Sequence, residues 1–278
     1  MCKLLDVIRS WFGPRAPVLP VVGPRTIADP LSYIVQARTD GSLATVHDML
    51  TTRRHDWPLP LGYEVSDSVL LDDGRVLQTF SFAPWGPFNL ANGDGGQIAQ
   101  VGADGFVRFT ETRDGGTPYL QYFVGQKNGG TGWIVFGIDA PTGKWRELVA
   151  LLAKSNWSDA QPPLSKAFTR YRLETITYPW SFDGTPGWMH LPTVVSEHYD
   201  HDTISASQAM ERSYFAQGFG LVRWEAWGRT EESGISDMAE RYQHVDYSDP
   251  PASGWYLDDI RTYTNAVAYE PTAVPVMS

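Results

Sequence analysis

The sequence predicts an all-β fold with few short helices, an antiparallel β-sandwich of jelly-roll type. Turn dipeptides recur along the chain at Asp73-Gly74, Asp104-Gly105, Asp114-Gly115, Asn128-Gly129 and Asp183-Gly184. Short runs rich in β-branched and aromatic residues lie between these turns, and the chain shows neither βαβ alternation nor a glycine-rich phosphate loop. Frequent turns between short strands are typical of hairpins that pack as a sandwich.

The clearest strand candidates are runs that face each other across such turns. They are Ser68–Leu71 with Arg75–Phe82, Phe106–Thr112 with Tyr119–Val124, and the single run Trp133–Ile138. A further strand is predicted over Tyr171–Trp180, where Arg172, Glu174 and Tyr178 at alternate positions share one face. Together with the hairpin described below, these runs make residues 31–278 one β-sandwich domain.

Three short stretches have apolar residues at helical spacing, and we predict helices there. They are Trp145, Leu148, Val149 and Leu152; then Leu43, Val46, His47 and Leu50, with Ser42 as N-cap; and Ile235, Met238, Ala239 and Tyr242.

Composition and charge exclude several classes of protein. The chain has 22 Lys and Arg against 32 Asp and Glu, a formal net charge of −10, so we expect no nucleic-acid partner. A single cysteine excludes an intramolecular disulfide framework and a cysteine-based zinc site. Aromatic residues make up 13% of the chain, which is enough apolar material to order most of it.

Residues 1–30 form an N-terminal arm of distinct character. Leu4, Leu5, Ile8, Trp11 and Phe12 fall on one face of an amphipathic helix, and five prolines from Pro14 to Pro30 follow as a stiff spacer. Asp6 and Arg9 interrupt the apolar run, which argues against a signal peptide, and no run is long enough to span a bilayer. We expect the arm either to anchor the domain to a protein partner, membrane surface or particle, or to pack on its own domain.

A hairpin near the C-terminal third carries the first candidate site. Two strand-like runs flank Gln217-Gly218-Phe219-Gly220. Pairing Ala216 with Leu221 puts Arg212 opposite Glu225 and Tyr214 opposite Arg223, with Trp227 on the same face. We expect this face to be exposed as a flat patch of guanidinium, carboxylate and aromatic groups that binds a sugar, although a plain cross-strand ion pair would produce the same pattern. A slip of one residue would exchange the two faces.

Strand carboxylates are the candidate catalytic residues. Glu174, Glu197 and Glu225 could provide the acid and base of a glycoside hydrolase, with Glu197 and Glu225 as the preferred pair. A polysaccharide lyase would instead use Tyr214 or His198 as base, with Arg212 and Arg223 neutralising a uronate.

Two further features are candidate ligand sites. His198, Asp200 and His201 lie in a polar cluster that could hold Ca²⁺ or another divalent metal, although no cofactor is firmly indicated. Tryptophans beside proline or glycine could serve as stacking platforms or fill the core; they are Trp57, Trp85, Trp133, Trp180 and Trp188, of which Trp85 and Trp180 are the best candidates.

The sequence therefore favours a carbohydrate-binding protein whose arm docks it on a larger assembly or surface, with a glycan or polysaccharide as its ligand. A polysaccharide-degrading hydrolase or lyase that uses the strand carboxylates is the alternative, so enzymatic activity stays open. A purely structural assembly protein is the third possibility.

Overall fold

A computed structural model describes residues 22–38, 40–48, 63–80, 95–113, 120–126, 129–182, 185–229, 249–265 and 273–274. These residues contain the short helix α1 (Leu31–Ile34), a helical turn at residues 46–48 and thirteen strands. The strands are β1 (Tyr63–Leu70), β2 (Val76–Phe80), β3 (Gly96–Val101), β4 (Phe106–Arg113), β5 (Gln121–Val124), β6 (Trp133–Gly137), β7 (Arg146–Ser155), β8 (Ser165–Phe182), β9 (Thr185–Tyr199), β10 (Ala209–Ala216), β11 (Gly220–Gly228), β12 (Tyr256–Asn265) and β13 (Ala273–Val274).

The predicted all-β class and hairpins are confirmed. β1 and β2 pair in antiparallel fashion across the turn at Asp73-Gly74, where Gly74 has φ +83°, a conformation that favours glycine. β4 pairs with β5, and β8 contains the strand predicted over Tyr171–Trp180. The described strands form one curled sheet, and a separate second sheet of the predicted sandwich is not observed among them.

The curled sheet closes on itself. Strand neighbours follow the order β8-β7-β5-β4-β3-β2-β1-β12-β11-β10-β9, and β9 pairs again with β8. Every pairing along this path is antiparallel except β1 with β12. A closed ring of eleven strands has eleven pairings, and each antiparallel pairing reverses the strand direction. The number of antiparallel pairings must therefore be even, which requires at least one parallel pairing, and β1 with β12 is that pairing.

The core lies where β6 crosses one face of this sheet. β6 pairs with β4, and its residues Ile134, Val135 and Phe136 are all fully buried. Consecutive buried residues show that both faces of β6 are covered, on one side by residues such as Phe215 and Tyr171. Ile27 and α1 pack into the same cluster, so residues 22–30, the described part of the arm, pack with the domain.

The helix predicted from Trp145 to Leu152 is wrong, because this segment forms β7. Leu148 and Ala150 are buried whereas Val149 between them is 39% exposed, which is the two-residue period of a strand. β5 and β8 pair with the two edges of β7. These pairings make the segment a strand, whereas the spacing of its apolar residues alone does not distinguish a helix from a strand.

Two other helix predictions are only partly covered. Residues 46–48 are helical, within the predicted stretch from Leu43 to Leu50, but the predicted start after Ser42 is wrong, because Leu43 and Thr45 form β-bridges with Ala37 and Leu70. The stretch from Ile235 to Tyr242 lies outside the described residues. The predicted amphipathic helix of residues 1–12 also lies outside them. Within the part of the chain that the structure describes, no helix is long and apolar enough to cross a membrane.

Candidate functional site

The register of the β10–β11 hairpin follows the prediction over the residues that matter most. Arg212 faces Glu225, Ser213 faces Trp224, and Tyr214 faces Arg223. A β-bulge after Tyr214 shifts the remaining pairs by one residue, so Ala216 faces Gly220 and not Leu221 as assumed.

Four charged residues of alternating sign stand side by side across four strands, and we call them the charged row. They are Arg170 on β8, Glu197 on β9, Arg212 on β10 and Glu225 on β11, each directly opposite the next. Arg170 Nε lies 2.5 Å from Glu197 Oε2, and Arg212 Nε lies 2.8 Å from Glu197 Oε1. Arg212 Nη1 lies 3.2 Å from Glu225 Oε2, so Arg212 bridges the two carboxylates.

The expected exposed patch is wrong, because this face of the hairpin lies inside the protein. Glu197 and Glu225 are 0% exposed. Arg212, Tyr214, Arg223 and Trp227 are buried as well. A ligand in solvent therefore has no access to the patch as the structure stands.

Aromatic and backbone groups cover the charged row. Trp145 contacts the Arg170 guanidinium at one end, with 4.4 Å between the ring centroid and Cζ. Tyr199 donates a hydrogen bond of 2.6 Å to Glu197, and Trp227 Nε1 donates one of 2.9 Å to Glu225. The backbone oxygen of Asp249 accepts from Arg212 Nη1 at 2.9 Å. The buried charges are thus hydrogen-bonded as well as paired, which buried ions require.

This environment is opposite to that of a general acid. Burial by itself raises the pKa of Glu197, but the charge of Arg212 and the hydrogen bond and charge of Arg170 outweigh it, so the pKa of this carboxyl lies below its usual value. A glycosidase acid needs a raised pKa and contact with the leaving oxygen. Glu197 therefore acts as a fixed structural anion, and Glu225 is equally buried and paired with the same Arg212.

The remaining predicted residues of the sugar site do not join this pair. Glu174 on β8 is half-buried and paired with Arg172, whose Nε lies 2.6 Å from its Oε1. It faces Thr193, four residues before Glu197 along β9. Trp85 lies outside the described residues, and Trp180 is described only as part of the backbone of β8.

The predicted metal ligands are likewise not brought together. The buried His198 ring is held through Nε2, which lies 2.9 Å from Ser196 Oγ. His201 is exposed and lies 3.2 Å from Asp200. No group of three metal-ligating side chains occurs in the described part of the chain.

A cavity of about 230 Å³ lies where β6 meets β7, β8, β9 and β10. Its lining is largely apolar, and Trp133 forms one of its walls. Charged side chains occur in the same lining: Lys166, Asp200 and Glu211. The remaining lining residues are Ile134, Leu152, Ser165, Ala167, Thr169, His198, Tyr199, Ala209 and Met210.

Trp133 and His198 lie next to each other in this lining. Their ring centroids are 5.3 Å apart, and Phe123 packs against Trp133 with centroids 4.8 Å apart. Burial lowers the pKa of His198 to about 3, only partly opposed by the charge of Glu197, so the imidazole is neutral near pH 7. The cavity thus combines a broad aromatic wall with a neutral imidazole.

Sequence reasoning found both residues but assigned them other roles. In the sequence Trp133 is one of several tryptophans beside proline or glycine, but it lies in β6 and not in a loop. Proximity in sequence groups His198 with Asp200 and His201 instead. No local signal joins positions 133 and 198, because their contact depends on β6 crossing the sheet.

Comparisons with known proteins give no further assignment. No protein-family model matches the chain, and neither the curated proteins nor the solved structures contain a match to it.

Proposed function

We propose that this protein is a non-catalytic carbohydrate-binding protein whose sugar site is the cavity beside Trp133. The cavity has the features that the sequence analysis expected of the hairpin patch. It offers an aromatic wall for the apolar face of a pyranose, with polar and charged groups near it. The Trp133 wall is the observation that carries this proposal.

The size of the cavity suits one ring. A cavity of roughly 150 Å³ accommodates benzene, and drug-sized ligands occupy roughly 300–1,000 Å³. The 230 Å³ beside Trp133 lie between these values, so we expect a single sugar unit or the terminal unit of a glycan.

The environment of the strand carboxylates argues for binding without catalysis. The preferred acid and base, Glu197 and Glu225, are both fixed by Arg212 and fully buried. A hydrolase would need one of them at the scissile bond. A polysaccharide incubated with the protein is therefore expected to keep its chain length.

Titration calorimetry with methyl glycosides of glucose, galactose and mannose tests the proposal. We expect saturable binding of at least one glycoside, and at least tenfold weaker binding by Trp133→Leu, which removes the aromatic wall. Trp157→Leu is the matched control, since Trp157 is 73% exposed and outside the cavity lining. Equal affinities of the Trp133→Leu variant and the unmodified protein would contradict the site, and absence of binding to all glycosides would contradict the function.

An assembly role through the arm is the second candidate function. Its support is that residues 22–27 are fixed to the domain: Gly23 N donates to Asp139 Oδ2 at 2.7 Å, and the amides of Thr26 and Ile27 donate to the Ile138 oxygen. The first residues that the structure describes are therefore held in place on the domain.

Deletion of residues 1–21 tests this role without disturbing those bonds. If the arm docks the protein on other copies or a partner, sedimentation of the shortened chain will show a smaller species, and flotation with vesicles will reveal any loss of membrane association. The free energy of unfolding should stay unchanged. An unaltered sedimentation and flotation profile would contradict the anchor.

A further inference from the structure

The hydrogen bonds of Ser196 fix the tautomer of His198. Ser196 Oγ donates its single proton to the backbone oxygen of Val135. The same oxygen lies 2.9 Å from His198 Nε2 and can only accept there, so Nε2 carries the imidazole proton. In the neutral ring Nδ1 is consequently an acceptor, and no residue of the described ranges donates to it.

Trp133 presents the opposite case. Its indole Nε1–H is buried and has no hydrogen-bond partner among the described residues. A buried donor without a partner costs about 1–3 kcal/mol, so such groups in a folded protein point to a missing partner such as a water molecule or ligand. A donor and an acceptor without a hydrogen-bond partner in the described ranges thus lie on two adjacent rings of residues that line one cavity.

We propose that the cavity recognises an uncharged ring-sized ligand through one hydroxyl group, which accepts from Trp133 Nε1–H and donates to His198 Nδ1. This inference rests on the cavity assigned in the proposed function and deepens it by naming the recognised group. A hydroxyl is the small group that both donates and accepts, whereas a carbonyl or ether oxygen satisfies only Trp133 and an ammonium satisfies only His198.

The surroundings also select against charged ligands. The apolar walls formed by Ile134, Leu152 and Met210 leave a ligand charge poorly solvated. Asp200 and Glu211 in the lining repel an anion, with Lys166 as the opposing charge. Neutral sugars and cyclic alcohols therefore fit, and uronates or sugar phosphates do not.

Cyclohexanol and cyclohexanone are the matched probes, because they share ring size and differ in the ability to donate. Ligand-observed NMR titration with the full chain should show at least tenfold tighter binding of the alcohol. His198→Gln keeps an amide donor near Ser196 and removes the Nδ1 acceptor, so its preference for the alcohol should vanish. His198→Asn places a carbonyl oxygen near the Nδ1 position and should keep the preference. Trp133→Phe should weaken both probes.

The outcomes separate this inference from the proposed function. Preference for cyclohexanol without binding of any methyl glycoside would uphold the hydroxyl site and refute sugar binding. Binding of a methyl glycoside together with equal affinities for cyclohexanol and cyclohexanone would uphold sugar binding and refute the hydroxyl site. Absence of cyclohexanol binding, which is expected if the two groups hold only a water molecule, would overturn the inference. The comparison of probes on the unmodified protein decides the matter even if a His198 variant fails to fold.

Discussion

Arg212 and Glu197 stand directly opposite each other on β10 and β9, and both Nε and Nη2 of the arginine lie 2.8 Å from one carboxylate oxygen, Oε1. Both side chains are buried. A buried charge costs much free energy unless it is paired, and each of these two charges is paired with the other. The ion pair therefore favours the pairing of β9 with β10. The same pairing keeps the carboxylate from proton-transfer chemistry.

Loss of the central arginine should destabilise the protein strongly. Arg212→Met removes the cation that bridges Glu197 and Glu225 and leaves Arg170 and Arg223 as their remaining partners, and we expect the free energy of unfolding to fall by about 3–5 kcal/mol. Arg75→Met is the matched control, because Arg75 likewise bridges two carboxylates, those of Asp73 and Glu111, but all three side chains are partly exposed, and its loss should cost under ~1 kcal/mol. Urea unfolding measures both. Similar values for the two variants would contradict a structural role for the charged row.

Acid should destabilise the protein through His198 before it affects the carboxylates. The folded-state pKa of about 3 lies below the ordinary value of 6.5, so between these pH values the unfolded chain binds a proton that the folded chain does not. Stability contributed by the neutral ring is therefore present above pH 6.5 and falls by about 1.4 kcal/mol per pH unit well inside this window.

Urea unfolding at pH 7, 6 and 5 tests the His198 prediction, with His198→Gln as control. The variant should lose less stability than the unmodified protein over this range. Glu197, whose pKa is lowered, contributes stability above its ordinary value of 4.5 that is lost only at lower pH, so it does not interfere. Parallel pH profiles of the two proteins would show that His198 is not held neutral.

The hairpin glycine Gly220 should tolerate no side chain. Its φ is +72°, and an added Cβ would lie 2.7 Å from Ser68 Cβ. Gly220→Ala therefore adds a steric clash to backbone strain of roughly 1–2 kcal/mol. Gly74→Ala isolates the strain, since φ is +83° and nothing lies within 4 Å of its added Cβ. We expect a clearly larger fall in thermal midpoint for Gly220→Ala, and equal falls would mean that the two segments are not packed together.

The strand character of β7 predicts opposite responses at neighbouring positions. Val149→Lys on the exposed face should change the free energy of unfolding by about 0.5 kcal/mol or less. Ala150→Leu at the fully buried neighbour should cost about 1–3 kcal/mol through overpacking. Chemical denaturation of both variants provides the measurement. A large effect at Val149 together with a small one at Ala150 would contradict the alternation.

Local sequence signals predicted the hairpins well, because their causes are local. Asp73-Gly74 specifies a tight turn whatever the rest of the chain does, and the loop that contains Gly218 and Gly220 marks the second hairpin, in which the bulge after Tyr214 brings Arg212 opposite Glu225. The bulge after Tyr214 escaped prediction because an extra residue in one strand leaves no clear mark on alternation.

The sequence by itself determined the all-β class, the turns and the residues that share each strand face. Tertiary structure decided which faces meet solvent, since a two-residue period divides side chains into two sets without saying which set is covered. In the β10–β11 hairpin both sets of side chains are buried. β6 covers one face, and Trp145 and residues 249–255 lie near the other. The same long-range packing brought Trp133 beside His198, a contact that depends on chain segments 65 positions apart.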